Sequence, residues 1–373
     1  MKILVIATWY PHEENPAEAP FNADHVEAIR ARGHEVRVLH VRLGGGAAPA
    51  RRRAELWDGT PVRRLVADPA RPATVLRTLL TLRREMRWAD VVHTMAFSSI
   101  LAAAPAWVMR AATGRAPAWV HTEHWNGVVN PSSVSHLWAR LAWLRAALRL
   151  PHVVAGVTSQ LTTEMQRFAR PGAAMVIPCV VRGPAEVTAA QFGPQLHLVA
   201  VGGLIDRKRP VEAIRAMAWL RDQGTDASLT WVGDGPLRAT CRELVESLGL
   251  QDRVTLVGAV PPADVAQRLS AADLFFLPTA QENFFTSAAE ALASGRAVVA
   301  TRVGGFSDYA DASNSRLVED VSPEVLGRAV LDAREAFTHV PATTIAAPVR
   351  ARFSTEAVGE LLDRAYLAAL ARA

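Results

Sequence analysis

Short apolar runs rich in β-branched residues alternate with longer helix-like stretches along most of the chain, and this alternation restricts the fold more than any other feature. The expected strands are residues 2–7, 35–41, 62–66, 91–95, 118–123, 153–158 and 175–178, then 196–202, 228–233, 253–258, 274–278, 297–301 and 316–318. Continuous apolar strands separated by helices are the mark of parallel sheets covered on both faces. The pattern starts twice, which predicts an α/β chain of two doubly wound, Rossmann-like domains facing each other across a cleft. The expected division is an N-terminal domain over 1–181, a linker over 182–195, a C-terminal domain over 196–352 and a terminal segment over 353–373. The linker reading rests on RGPAEVTAAQFGPQ, which lacks apolar periodicity and carries Gly and Pro at both ends. Val358, Leu361, Leu362, Ala365 and Ala369 predict a terminal amphipathic helix packing back toward the N-terminal domain.

With 373 residues, 50% of them hydrophobic, two full cores are available. No run of about 18 uncharged apolar residues appears, so a spanning helix is not expected. The opening MKILVIATWYPHEENP meets charge and proline too early for a secretory signal. Cys179 and Cys241 form neither a disulfide framework nor a zinc cluster. A cytoplasmic protein is expected, with membrane association on the cytoplasmic face as an option. Charge is uneven. Residues 1–180 hold 22 Lys+Arg against 13 Asp+Glu, whereas 181–373 hold 19 against 23. A basic half suggests an anionic partner, such as a membrane surface, a phosphorylated lipid or an acidic acceptor. The alternative is an arginine-rich composition without a partner.

Several chemistries are absent. The first turn, TWYPHEENP, is not GxGxxG, and no GxxxxGK[ST] loop occurs. There is no Asp-x-Asp, HExxH or CxxC, and no metal is expected. What remains lies at predicted strand ends. VGGLIDRKRP (201–210) combines Gly202 and Gly203 with Arg207, Lys208 and Arg209 at a helix start. Cations are disfavoured by the dipole there, so three together call for an external anion or an acidic neighbour. GDGP (233–236) reads as a structural turn, and VGGFSD (303–308) as a loop able to present backbone amides. PTAQENFFTSAAEALASGRAVVAT holds Glu282 and Glu290. Ser287-x-x-Glu290 reads as a capping box, which explains Glu290 without chemistry. Glu282, just past a strand, gains little structurally.

In this order, the basic turn, GDGP, E-x7-E and a following Gly-Gly resemble the retaining nucleotide-sugar glycosyltransferases of family 4, with the GT-B fold. TWYPHEENPAEAPFNADHVEAIRARGHEV, DVVHTM, WVHTEHW and VIPCVV resemble that family's N-domain segments, so the likeness spans nearly the whole chain. The resemblance implies a metal-independent hexosyltransferase with no cofactor, taking a UDP- or GDP-sugar as co-substrate. It implies that Lys208, with Arg207 beside it and Gly202 and Gly203 close by, neutralises the donor pyrophosphate. Glu290 would hold the ribose. Glu282 would hold the transferred sugar, with the backbone of Asn283, Phe284, Phe285 and Thr286. His124 would face sugar and acceptor across the cleft. Pro20, Phe21 and Asn22 would lie near phosphate or acceptor. Acceptors to expect are a glycan, a lipid-linked glycan or a small natural product, and nucleic acid is not one of them.

The chain departs from the family at four places. Gly203 stands where arginine is usual, Arg209 and Phe285 where glycine is usual, and Pro20 replaces a common glycine. Phe285 is expected to narrow the sugar site. Two other classes stay open: a nucleotide-sugar epimerase or hydrolase on the same fold, and a non-catalytic nucleotide-sugar-binding subunit. The stretch 131–150 resembles a basic amphipathic helix, striped by Leu137, Leu141, Leu144 and Leu148, that either lies on anionic lipid or packs on its own domain.

Overall fold

The computed structural model describes residues 1–16, 18–44, 55–133 and 135–373. It divides into two compact units, Met1–Val180 with Thr355–Ala373, and Val181–Ser354. Among the described residues no helix is long and apolar enough to cross a membrane.

The first unit runs β1 (Lys2–Ala7), α1 (Pro20–Ala31), β2 (Glu35–Leu43), β3 (Glu55–Trp57), β4 (Thr60–Ala67), α2 (Pro72–Glu85), β5 (Val91–Met95), α3 (Phe97–Ala111), β6 (Ala118–Glu123), α4 (His136–Arg140), β7 (Val153–Gly156), α5 (Ser159–Gln166) and β8 (Ala174–Val176). Its sheet order is β3-β4-β2-β1-β5-β6-β7-β8. All pairings are parallel except β3 with β4, a hairpin turned by Asp58 and Gly59, both at positive φ. That is the backbone a two-residue hairpin turn requires. Ile3, Val5, Val120 and Val153 are buried together with Val26 and Ile29 of α1.

The second unit runs β9 (Leu196–Val201), α6 (Pro210–Asp222), β10 (Ala227–Val232), α7 (Arg238–Ser247), β11 (Val254–Gly258), α8 (Pro262–Ala271), β12 (Leu274–Leu277), α9 (Thr286–Ala293), β13 (Ala297–Thr301), β14 (Ser315–Val318), α10 (Pro323–Phe337) and α11 (Ala342–Phe353). The order β11-β10-β9-β12-β13-β14, parallel throughout, is that of the doubly wound dinucleotide-binding folds. Successive crossovers run outward on one side of β9 and then restart beside it at β12. The crevice at the carboxyl ends of β9 and β12 is therefore where such a sheet takes a ligand.

Residues 182–195, the expected linker, lie inside the second unit. Arginines hold them there: Arg296 donates to the Thr188 carbonyl (2.8 Å), Arg334 to that of Gly193 (2.8 Å) and Arg350 to that of Pro184. The last helix, α12 (Thr355–Leu370), belongs to the first unit, where Val358, Leu362, Ala365, Tyr366 and Ala369 join the core. Asp363 fixes its azimuth by accepting from Arg32 (2.7 Å) and His34 (2.5 Å).

The stretch 131–150 is not one helix, and its Val134 lies outside the described residues. Ser135 caps the short α4 by accepting from the Trp138 amide, and Leu141 N–H is shared between the carbonyls of Leu137 and Trp138. This tightening turns the chain into a 3-10 segment, Ala142–Arg149. The leucine stripe is consequently split: Leu137 is 67% exposed and Leu148 is fully buried.

Buried imidazoles give the first unit a titratable core. Burial lowers the His25 pKa from 6.5 to about 4, against the opposing bond to the Pro178 carbonyl. Burial, then Arg64, lowers that of His40 to about 3. Both rings are neutral when folded and bind protons more readily when unfolded. Their contribution is intact above pH 6.5 and is lost as pH falls from there toward the folded values. Thermal melts between pH 7.5 and 4 should show Tm falling below about 6.5. His25→Gln, which keeps a donor for Pro178 and cannot protonate, should make that decline shallower.

Candidate active site

Two loops meet at the second unit's switch point. Past β9 the chain passes Gly202 and Gly203, makes a single 3-10 turn over Asp206–Lys208, and enters α6 through Arg209. Past β12 it passes Thr279 and Glu282 and enters α9 through Phe285. A backbone bond clamps these loops: Ala280 N–H donates to the Arg207 carbonyl (2.7 Å).

The acidic neighbour that the basic turn calls for is Glu282. Its Oε1 accepts from Lys208 Nζ (2.5 Å), Arg207 Nη1 (3.0 Å) and Thr279 Oγ1 (2.9 Å). The reading of Glu282 as a carboxylate with little structural gain is thus corrected. Lys208 is buried, and burial pulls its pKa below the ordinary value, with Glu282 working against that shift. Its stem lies against Gly202, where a Cβ would come within 3.1 Å of Lys208 Cε. Arg207 is the more exposed partner, at 44% of its side chain.

Glu290 sits half-buried in α9, four residues into the helix. The expected capping box does not form. The helix starts at Thr286 with Phe285 as its N-cap (φ 62°, ψ 55°) and no side-chain cap, so Ser287 is already helical. Glu290 is therefore the fifth helical residue, past the third position that a capping box uses. Phe285 does not narrow an open site either. Its positive φ turns the ring into the core, 2% exposed, against Phe306 (5.2 Å between centroids) and Phe275 (6.1 Å). Lys208 Nζ stands 5.5 Å above that ring. Phe284 is buried as well, against Tyr309 and Phe353. Asn283 and Thr286 stay half-buried, so this loop offers backbone rather than aromatic surface.

The VGGFSD loop does not present the Gly305 amide; that N–H donates to the Asn283 carbonyl (2.8 Å). Gly304, at φ 54°, abuts the Glu282 backbone so closely that a Cβ would stand 1.8 Å from its carbonyl oxygen. GDGP is structural: Gly233 N–H donates to Gly258 (2.8 Å), and Leu204 N–H to Asp234 (3.0 Å).

The first unit gathers a separate group at the ends of β1 and β6. Phe21 stacks on His124 (4.4 Å, 23°), and His25 lies 5.0 Å from the same ring. Pro20 opens α1 as an exposed first residue, and buried Asn22 donates to the Trp9 carbonyl (2.8 Å). Cys179 Sγ is 3.6 Å from His124 Nδ1. Burial first, then His25, His93 and His121, holds the His124 pKa well below 6.5, so the ring is neutral. Sequence reasoning missed Glu123. This fully buried carboxylate accepts from the amides of His124 (2.9 Å) and Trp125 (2.8 Å) through one oxygen and so fixes the turn that presents His124. Its only signal was a charged residue ending an apolar strand. His93 and His121 are structural: His93 bridges Tyr366 and Thr122, and His121 binds Thr94. Among the described residues no group of three or more His, Cys, Asp or Glu is placed to hold a metal ion.

Comparison with known proteins follows this division. A family model described as glycosyl transferases group 1 matches residues 195–335, and one described as glycosyltransferase family 4 matches 21–182. The 2-deoxystreptamine glucosyltransferase of Streptomyces kanamyceticus is 36% identical over 108 residues, 29% of this chain and 28% of that protein. The 2-deoxystreptamine N-acetyl-D-glucosaminyltransferase of Streptomyces fradiae is 30% identical over 241 residues, 60% of this chain and 57% of that protein. The matched stretches thus span about a quarter to just over half the length of these relatives. The Anabaena Alr3699/HepE structure in complex with UDP-glucose shares the fold, with a TM-score of 0.72 at 19% identity over 98% of each chain.

Gly304→Ala should shift the Glu282 loop and destabilise the chain by more than about 2 kcal/mol, through combined backbone strain and overlap. Chemical denaturation measures the change.

Proposed function

We propose that this chain, which belongs to the group 1 and family 4 glycosyltransferases with two Rossmann-like α/β sheets, moves a hexose from a nucleoside-diphosphate sugar to an acceptor hydroxyl. Retention of the anomeric configuration and independence from metal are part of the proposal. The observation that carries it is the meeting of Lys208, Arg207 and Glu282 at the β9/β12 switch point, with Glu290 on the adjoining helix.

The chemistry follows from charge. The bond from the anomeric carbon to the phosphate oxygen lengthens, and negative charge gathers on the diphosphate. Lys208 and Arg207 stabilise that charge, aided by the positive end of the α9 dipole. The acceptor oxygen bonds the anomeric carbon on the face the phosphate leaves, and its proton passes to the departing phosphate oxygen. No side chain is needed as a covalent nucleophile. Glu282 accepts from a hydroxyl of the transferred sugar, and Glu290 from the ribose. Neutral His124, stacked on Phe21, serves the acceptor as a hydrogen-bonding group. A uridine donor is favoured by the UDP-glucose complex of the structural neighbour. A small polyol acceptor is favoured by the two relatives named for 2-deoxystreptamine.

Screening UDP- and GDP-sugars by thermal shift, then assaying transfer, tests this reading. With a proven donor, Lys208→Ala should lower kcat by about 10²–10³ while chelators leave the rate unchanged. Unchanged turnover in that variant removes the mechanism. Rapid epimerised product without acceptor favours the epimerase, and nucleotide binding without sugar release favours a non-catalytic subunit.

A specific surface favours association with an anionic membrane. Val75, Leu76 and Leu80 of α2 are 40%, 56% and 52% exposed, and Val108 and Met109 of α3 are 48% and 42% exposed. Arginines crowd the same helices: burial first, then Arg87, Arg83 and Arg115, holds the Arg110 guanidinium below its ordinary range. Apolar side chains beside clustered cations suit an anionic lipid interface. Sedimentation with phosphatidylglycerol vesicles should carry the protein down at low salt, and Leu76→Glu with Leu80→Glu should abolish it. Equal sedimentation with neutral vesicles removes this reading.

A further inference from the structure

The three donors around Glu282 all meet on one oxygen. Lys208 (2.5 Å), Arg207 (3.0 Å) and Thr279 (2.9 Å) bond Oε1, and none of these bonds goes to Oε2. Both partners of the central pair are largely shielded, with 10% of the Lys208 side chain and 11% of the Glu282 side chain exposed. Thr279 is fully buried, and the Thr301 hydroxyl donates to its carbonyl, so the residue that aims Oε1 is itself held. Gly304 packs on the Glu282 carbonyl, which limits retreat of the backbone. The cations proposed for the phosphates are therefore already occupied by a fixed carboxylate.

We propose that Glu282 is the internal counter-ion of the phosphate site and that it selects the sugar-bearing donor over bare diphosphate. The inference deepens the donor-site reading above and rests on it for the identity of the anion. A bare diphosphate approaching Lys208 and Arg207 meets the Glu282 carboxylate beside them. It must share the cations with a like charge at close range, which is unfavourable in a site shielded from water. A sugar nucleotide brings its own remedy. As the phosphates draw Lys208 and Arg207, a sugar hydroxyl donates to the carboxylate, which would otherwise lose its partners. Once the sugar has gone, the carboxylate reclaims the cations and the diphosphate product is weakened. Glu282 would then act twice, gripping the sugar before transfer and expelling the product after it.

The test is isothermal titration with inorganic pyrophosphate, at pH 6.5 to keep Lys208 charged and without divalent cations. It compares the natural chain, Glu282→Gln, and Glu282→Gln combined with Lys208→Ala. Removing the counter-ion should tighten pyrophosphate by about tenfold or more, and the gain should vanish in the double variant. UDP should tighten in parallel, while UDP-glucose gains less or loses affinity. Pyrophosphate binding that is unchanged or weaker in Glu282→Gln overturns the inference. So does a gain that survives in the double variant, because the effect would not run through Lys208. Glu282→Ala, with folding checked by thermal melt, gives the same direction if the glutamine variant does not fold. Tighter pyrophosphate in a chain that transfers no sugar from any donor keeps the counter-ion and removes the transferase reading, so the two failures are distinct.

Discussion

The pairing of Lys208 with Glu282 is the constraint around which the second unit's site is arranged. Burying an ammonium and a carboxylate costs several kcal/mol of desolvation each, and their attraction offsets this only with good geometry and further bonds. Those bonds are present in Thr279 and Arg207. Such a pair is a poor device for stability alone, since well-packed apolar residues often do as well. Its value lies in holding charge in a fixed place beside a switch point. An arriving anion finds the cations already placed and has to compete with Glu282 for them.

The backbone around both switch points carries a matching signature. Among the described residues, five non-glycine positions have positive φ: Ala19, Asp58, Ala96, Arg209 and Phe285. Asp58 belongs to the hairpin turn. The other four immediately precede α1, α3, α6 and α9, the helices that follow β1, β5, β9 and β12. These strands are the central pairs of the two sheets. Each such residue costs about 1–2 kcal/mol and persists only when its surroundings over-determine it. Phe285 shows how: its ring is locked among Phe275 and Phe306, and its carbonyl accepts from Tyr309 (3.1 Å). Four of these five residues thus stand at helix starts beside the central strands, where such sheets take their ligands.

Much of this was legible from residue patterns, and the exceptions have physical causes. Strands such as Val91–Met95 and Ala297–Thr301 are continuous apolar runs buried on both faces, and they match the expected bounds. Glu55–Trp57 escaped notice because three residues carry no periodicity, and its partner hairpin is defined by the turn at Asp58 and Gly59 instead. The stretch 131–150 has helical spacing but breaks where Ser135 and Leu141 redirect local hydrogen bonds. The cationic turn demanded an anion, and the pattern did not reveal that Glu282, 74 residues away, supplies it. Ser287 and Glu290 have capping-box spacing, yet the helix starts one residue before Ser287. Spacing fixes which residues share a face and says nothing of the φ that a preceding phenylalanine adopts.

The two units separate two kinds of polar chemistry. The second unit pairs its buried Lys208 with a carboxylate that works against the effect of burial, whereas the first keeps His25 and His124 neutral by burying them. A neutral ring can donate and accept at once, which suits hydroxyls, whereas an ammonium suits phosphate. Glu123 illustrates the choice. It is fully buried, its Oε1 is taken by the amides of His124 and Trp125, and its Oε2 stands 3.5 Å from His121 Nε2. The carboxylate therefore sets the position of the His124 turn, and the burial and neighbouring imidazoles that depress the pKa of His124 prevail. The amides of His124 and Trp125 thus hold the turn, while burial keeps the His124 ring uncharged.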